Sequence, residues 1–430
     1  MGQRKKIAFN TLGCKLNFSE TDAISRQFDA GGYDIVSFKN TADIYVINSC
    51  TVTKNAEKRC KTLIRQAMKN NPEAHVAVIG CYSQINPKEL LAVPGVSMVL
   101  GNSEKFNLFD HLKNIGQNRS DKDFTQPARE KLDTFMPSFS TGGRTRSFFK
   151  IQDGCDYKCA YCTIPLARGK SRSNTIAETI RTAQKIAGTN MKEVVLTGVN
   201  IGDFGKPHGE SFANLLHELV RIDGIERIRL SSVEPDLLND EIIQLVRNED
   251  KLMPHFHIPL QSGSDTILKA MGRRYSTAVF SDRVKQIREL IPHACIAADL
   301  IVGYPDETEA CFEESYQFIK KQDISYIHVF TYSERENTRA LNSGQTVHPS
   351  ERKKRSKQIQ LLSAEKKKQF LLSNRGLETN VLWERDARDG FMFGFTDNYI
   401  KVKTKFDAER VNSIQKITLN KLDKHNVYQV

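Results

Sequence analysis

The sequence predicts an α/β protein in three parts: an N-terminal doubly wound parallel sheet, a central partial (β/α)6 barrel and a small C-terminal antiparallel β-barrel. Three observations predict it. In the first part, an apolar run that ends in a cysteine and leads into a helix-like segment occurs three times. Between 144 and 370, six further apolar runs alternate with helical patterns. From 371 onward, apolar and polar residues alternate and turn signals punctuate them.

The three N-terminal runs are "KIAFNTLGC", ending at Cys14, "DIYVINSC", ending at Cys50, and "HVAVIGC", ending at Cys81. The segments "NFSETDAISRQF", "TVTKNAEKRCKTLIRQAMKNN" and "SQINPKELLAV" follow them. Short β-rich runs alternating with helices imply parallel strands with helices on both faces. Ligands of such sheets bind beyond the carboxyl ends of the strands, where all three cysteines fall. This domain is expected over 1–115, and the polar stretch 116–143 reads as a linker. Residues 144–370 then supply "SFFKIQDG", "EVVLTGVN", "RIRLSS", "HFHIPLQSG", "ACIAADLIVG" and "YIHVFTYS", six βα units of a partial barrel with its chemistry at the strand C-termini. "NVLWERDARDGFMFGFTDNYIKVKT" opens the last module, 371–430, expected as a small barrel.

With 430 residues, the chain is long enough for two or three cores. No apolar run approaches the roughly 18 residues of a membrane span. The opening "MGQRKKIAFN" lacks the apolar stretch of a signal peptide, so a cytoplasmic protein with no membrane partner is expected. Reduced thiols are expected there, and nine cysteines point to metal ligation or catalysis before disulfides. A net charge of +12 suggests a polyanionic partner, nucleic acid first. Residues 351–370 carry eight Lys/Arg against two Glu, a patch for phosphates or simply a solvated helix face.

"DGCDYKCAYC" (153–162) sets Cys155, Cys159 and Cys162 in a C-x-x-x-C-x-x-C spacing. Structural zinc normally takes four protein ligands, and a fourth is missing nearby. Thiolates suit iron–sulfur clusters, and three of them leave one iron open to a substrate or cofactor. With Tyr161 before the last cysteine, the motif resembles that of the radical S-adenosylmethionine superfamily. The resemblance implies a 4Fe-4S cluster whose open iron chelates S-adenosylmethionine, which one electron cleaves to a radical. It also implies candidate contacts to that cofactor: Gly198 and Asn200 in "LTGVNIG", Glu234 in "SSVEP", Gln261 in "PLQSGSD", Arg273 and Arg274 in "MGRRYS", and Gly303 in "DLIVGYPDET". The fork of Arg273 or Arg274 suits the methionine carboxylate. No side chain is singled out as an acid or base.

Taken alone, Cys14, Cys50 and Cys81 would be small buried residues. Beside the second triplet, "TLGCKLN", "INSCTVT" and "VIGCYSQ" are similar to the N-terminal domain of the methylthiotransferases, and the resemblance covers nearly the whole chain. It implies a second, auxiliary 4Fe-4S cluster on these three residues and a C-terminal RNA-binding TRAM-like barrel. Two molecules of S-adenosylmethionine would then serve, one to methylate sulfur and one to generate the radical. "TLGCKLN", "SSVEP" and "FTYSERENTRA" most resemble the branch that acts on N6-threonylcarbamoyladenosine at position 37 of tRNA. "SERENT" departs from that branch's usual "SERPGT". The alternatives are isopentenyladenosine-37 of tRNA or a ribosomal-protein aspartate, and, from another class, an RNA-binding protein with structural or redox-sensing clusters. The expected partners are a tRNA anticodon stem-loop and an electron donor such as flavodoxin or ferredoxin, with the enzyme a monomer. Lys353, Lys354 and Arg355 are expected to contact phosphates, Arg335 and Arg339 the substrate or a surface partner. One or two of Trp383, Phe391, Phe393, Phe395 and Tyr399 are expected to stack on bases, and the rest to fill the small barrel. Cys60, Cys295 and Cys311 are expected to be packing residues.

Overall fold

The computed structural model describes residues 4–113, 123–125, 132–141 and 145–430, so much of the segment expected as a linker lies outside the described residues. Two compact units divide the chain: Met1–Ser140 with Phe148–Asp156 and Cys162–Arg172, and Thr141–Ser147 with Tyr157–Tyr161 and Ser173–Val430.

The first unit is built on strands β1 (Lys6–Thr11), β2 (Asp34–Val36), β3 (Ile44–Ser49), β4 (His75–Gly80), β5 (Val96–Leu100) and β6 (Asp123–Thr125). They pair in parallel in the order β2-β1-β3-β4-β5-β6. Helices α1 (Lys15–Ala30), α2 (Lys54–Asn70) and the short α3 (Cys81–Ile85) follow β1, β3 and β4. Strands covered on both faces alternate between two cores rather than between core and water. Tyr45, Ile47, Val76 and Val78 enter one core with Cys60 and Ile64 of α2. Ile44, Val46, Ala77 and Ile79 enter the other with Ile24 and Phe28 of α1. The chain runs outward from β1 to β2, then crosses to the other side for β3. The topological switch therefore lies between β1 and β3, where sheets of this kind open a crevice. Helix α4 (Ile164–Arg168) also belongs to this unit.

In the second unit, β7 (Glu193–Thr197) pairs in parallel with β8 (Arg227–Leu230), and β9 (His255–Gln261), β10 (Cys295–Val302) and β11 (Tyr326–Thr331) pair in parallel in turn. Bridges Ile228–Leu252 and Ser232–His257 tie the two sets together. Helices intervene throughout, and at Ile176–Ala187 the Thr175 hydroxyl and Glu178 form a reciprocal capping box. The strand Arg146–Lys150 straddles the two units.

The 25-residue helix α5 (Pro349–Ser373) leads into a curled six-stranded sheet of β12 (Glu378–Arg388), β13 (Phe391–Thr396), β14 (Lys401–Lys405), β15 (Ile414–Thr418), β16 (Lys421–Leu422) and β17 (Tyr428–Gln429). All neighbours are antiparallel except β14 and β17. Trp383, fully buried, centres its core with Val381, Met392, Val402 and Tyr428. Cys295 and Cys311 lie in β10 and in the helix Glu309–Lys321.

Candidate functional site

Cys14 is the N-cap of α1, Cys50 follows β3 and Cys81 opens α3, so the three thiols stand at the carboxyl ends of three neighbouring strands. Glycine makes two of these turns. Gly13 and Gly80 have φ of +96° and +97°, which an L side chain adopts only with strain. A methyl on Gly13 would also lie 2.8 Å from Cys50 Cβ and 2.9 Å from its Sγ. Burial pushes the Cys50 thiol up to about 12, and the charges of Cys81 and Cys14 add to the effect. Ionising one thiol opposes ionising the next, so a soft cation among them is what would make all three thiolates.

Two asparagines frame the triplet. Asn17 Oδ1 lies 3.9 Å from Cys14 Sγ, and Asn102 Nδ2 lies 3.5 Å from Cys81 Sγ. Beneath them is a buried ionic cluster. Glu20 accepts from Lys105, from Lys150 at 2.9 Å and from both Arg168 terminal nitrogens at 3.1 and 3.0 Å. Asp153 pairs with Lys150 at 2.7 Å, Arg168 at 2.9 Å and Arg172 at 3.1 Å. Burial alone would raise the Glu20 carboxyl, but Arg168, Lys105 and Lys150 together hold it well below its ordinary range. Burial pulls the Lys105 ammonium down to about 8 against the attraction of Glu20.

Cys155 and Cys162 belong to the first unit and Cys159 to the second. The Cys155 amide donates to the Gly169 carbonyl at 3.1 Å, and Cys162 Sγ accepts from the Ile164 amide at 3.4 Å. Cys159 Sγ accepts from Arg273 Nη1 at 3.2 Å. Arg273 also pairs with Glu234, and its Nε donates to the Tyr275 hydroxyl at 3.1 Å. That hydroxyl donates in turn to the Pro259 carbonyl at 2.6 Å. The carbonyl lies at a bulge in β9, where Gln261 takes φ +64°. Cys159, Glu234, Arg273 and the Gln261 bulge thus form one connected group. Arg274 stands apart from it, 4.0 Å over the Tyr157 ring.

Two other expected residues have separate surroundings. Asn200 is buried and donates to Asp203 at 3.0 Å, just beyond the half-buried Gly198. The Gly303 amide donates to Glu307 at 2.6 Å, and Arg352 Cγ would lie 2.3 Å from a methyl on Gly303. Arg339 is exposed and donates to the Lys158 carbonyl, whereas Arg335 is buried.

A polar group on β9, β10 and β11 was not foreseen from the sequence. The His257 ring lies 2.7 Å from Ser232 Oγ and 2.8 Å from Asp299 Oδ1. His328 pairs in register with Asp299, and one ligand atom from each of His257, Asp299 and His328 falls within 4.8 Å of the others. The signal was present: these polar residues interrupt strands that elsewhere read as buried apolar runs.

A model of the uncharacterized protein family UPF0004 matches residues 6–101, and the Radical SAM superfamily model matches 149–319. The threonylcarbamoyladenosine tRNA methylthiotransferase MtaB of Bacillus subtilis is 38% identical over 424 residues, covering 96% of this chain and 94% of its own. That of Aquifex aeolicus is 38% identical over 403 residues, covering 93% and 96%. A tRNA-2-methylthio-N(6)-dimethylallyladenosine synthase of Cereibacter sphaeroides is 31% identical, covering 97% of each chain. Among solved structures, the radical S-adenosylmethionine methyltransferase TsrM of Kitasatospora setae shares the fold, with a TM-score of 0.56 at 14% identity over 79% of this chain and 77% of that one. With both domain models met in order and the identity sustained from end to end, the chain belongs to the radical S-adenosylmethionine methylthiotransferases, in their threonylcarbamoyladenosine tRNA branch.

Proposed function

We propose that this protein converts N6-threonylcarbamoyladenosine at position 37 of tRNA into its 2-methylthio derivative. The observation that carries the reading is the 38% identity to MtaB along 96% of the chain. Cys155, Cys159 and Cys162 would hold one 4Fe-4S cluster, and Cys14, Cys50 and Cys81 the second. Each donor set is three thiols, one fewer than the four irons of such a cluster. When bound, the clusters and S-adenosylmethionine supply hydrogen-atom abstraction and sulfur transfer, chemistry that side chains lack.

The chain's own residues bind and orient. Arg273 lies against Cys159 and beside Glu234, and its guanidinium donors suit a carboxylate at that position. Gly198, Asn200, Gln261, Arg274 and Gly303 complete the proposed contacts to S-adenosylmethionine. The C-terminal sheet acts as a TRAM-like module on the anticodon stem-loop. Support comes from the paired β13 and β14, where Phe391, Phe393 and Phe395 alternate with Lys405, Lys403 and Lys401 across the strands. Lys401 Nζ stands 4.2 Å from the Phe393 ring centroid and Lys403 Nζ 5.2 Å from that of Phe391. Rings for bases beside charges for phosphates suit unpaired RNA. Among the described residues no helix is long and apolar enough to cross a membrane. A cytoplasmic monomer reduced by flavodoxin or ferredoxin completes the proposal.

Nucleoside mass spectrometry of tRNA from cells with and without the gene tests the substrate. The 2-methylthio-N6-threonylcarbamoyladenosine signal should vanish without it. Loss of the isopentenyl analogue instead would move the enzyme to the substrate of the 31%-identical relative's branch. A change confined to a ribosomal-protein aspartate would overturn the RNA substrate.

A further inference from the structure

Six ionisable side chains in the first unit take no part in the reaction as described. Lys105, Lys150 and Arg168 have side chains 1% exposed, against 0% for Glu20 and 4% for Asp153. Arg172 joins from the rim at 11%. Among the described residues the charges are unequal: three sealed cations share two sealed carboxylates, and Arg172 widens the positive excess.

The geometry says where that excess points. Asn17 Oδ1 accepts from Arg168 Nη2 at 2.6 Å and lies 3.9 Å from Cys14 Sγ. Asn102 Oδ1 accepts from Lys105 Nζ at 2.8 Å, while its Nδ2 lies 3.5 Å from Cys81 Sγ and donates to the Ala167 carbonyl at 2.7 Å. Both asparagines are buried. Asn102 joins a sealed cation to a sulfur through a donor N–H, whereas Asn17 turns its oxygen to Cys14 and its amide N–H groups to the Leu12 and Ser49 carbonyls. The excess positive charge is aimed, through the Asn102 amide, at the place where thiolates would gather.

We propose that Arg168 and Lys105 are the fixed counter-charge of the N-terminal cluster, raising its reduction potential without touching it, Lys105 through the Asn102 amide and Arg168 by its charge alone. The proposal rests on the reading that Cys14, Cys50 and Cys81 hold a cluster. Three thiolates bring negative charge, and reduction adds one electron more. A fixed cation in a low-dielectric surround favours the more negative state. Glu20 works in the opposite sense, so the ionic cluster sets the potential by difference.

Opposite signs make the test. In the full-length chain carrying Cys155→Ala, Cys159→Ala and Cys162→Ala, anaerobic reconstitution leaves only the N-terminal cluster, about four irons per chain. Redox titration followed by electron paramagnetic resonance reads its midpoint. Arg168→Gln should lower the reduced-to-oxidised ratio about tenfold at fixed potential, about 59 mV for one electron. Glu20→Gln should raise it. Midpoints that stay put, or that move in the same direction, overturn the proposal while the cluster stands. If Arg168→Gln does not fold, the sign of the Glu20→Gln shift decides alone. Absence of iron from the parent triple variant overturns the cluster reading and this inference with it.

Discussion

Glu234 is half-buried in the barrel beside Arg273. Burial pushes its carboxyl up to about 7; Arg273 opposes that, and Asp236, Asp203 and Asp299 reinforce it. Because this lies above the ordinary 4.5, ionisation works against the fold, and the associated stability falls as pH rises from about 4.5 through about 7. Binding runs the other way if the carboxylate is the form that meets S-adenosylmethionine. Its affinity for the reconstituted enzyme should then drop roughly fivefold from pH 7 to pH 6, and Glu234→Gln should abolish that pH dependence. Calorimetric titration across that range checks it, and an unchanged pH slope in the variant removes Glu234 from the site. Gly13 offers a second test at this scale. Gly13→Ala would strain a φ of +96° and drive a methyl against Cys50, at a cost of about 1–2 kcal/mol from the backbone alone. Iron per chain should fall by roughly half with the barrel cluster retained, since each cluster carries about four irons. Full iron in the variant would show that the close approach does not matter.

At the scale of elements, α5 shows what charge counting reads and what it misses. The sequence suggests a cationic strip, but the structure divides it. Arg352, Arg355 and Lys366 are buried, and Arg355 pairs with Glu307, Glu309 and Glu351 at 2.8, 3.2 and 3.3 Å. The expectation that Arg355 meets phosphate is therefore wrong: it fastens the helix to the barrel. Lys353, Lys354 and Lys357 stay exposed. Neutralising these three should weaken tRNA binding and flatten its salt dependence by roughly 0.7–0.9 per lysine in contact. Arg355→Gln should instead lower thermal stability by about 3 kcal/mol and leave the salt slope unchanged. Filter binding at several salt concentrations separates the two. The strands and their terminal cysteines were legible because period and punctuation report backbone conformation directly. The ionic cluster was not, although Glu20 sits at helical spacing with Leu16, Ile24 and Phe28 on the buried stripe of α1. Its partners Lys105, Lys150 and Arg168 come from distant parts of the chain, and local pattern carries no such pairing.

For the second unit as a whole, the question is how the C-terminal sheet is held to the barrel. Glu193 on β7 is fully buried between Arg227 at 3.1 Å and Arg229 at 2.9 Å on β8. Burial would raise its carboxyl, yet Arg229 and Arg227 hold it down to about 2. The two guanidinium groups reach past it to the turn after β13: Arg227 donates to the Thr396 carbonyl at 2.8 Å and Arg229 to that of Asp397 at 2.9 Å. Asn398 adds a bond to the His293 carbonyl at 2.8 Å. Glu193 fixes the two arginines that bond to the sheet. Its removal leaves two buried cations short of an anion, a loss of about 3–5 kcal/mol. Glu193→Gln should therefore expose the segment around α5 and β12 to limited proteolysis and weaken tRNA binding. The reductive cleavage of S-adenosylmethionine, which needs only the barrel, should persist. Acid should mimic the variant: the wild-type contribution is complete above about 4.5 and is lost as pH falls toward 2. If proteolysis rises while tRNA affinity holds, the C-terminal sheet is not what grips the RNA, and the exposed lysines of α5 are left to do so.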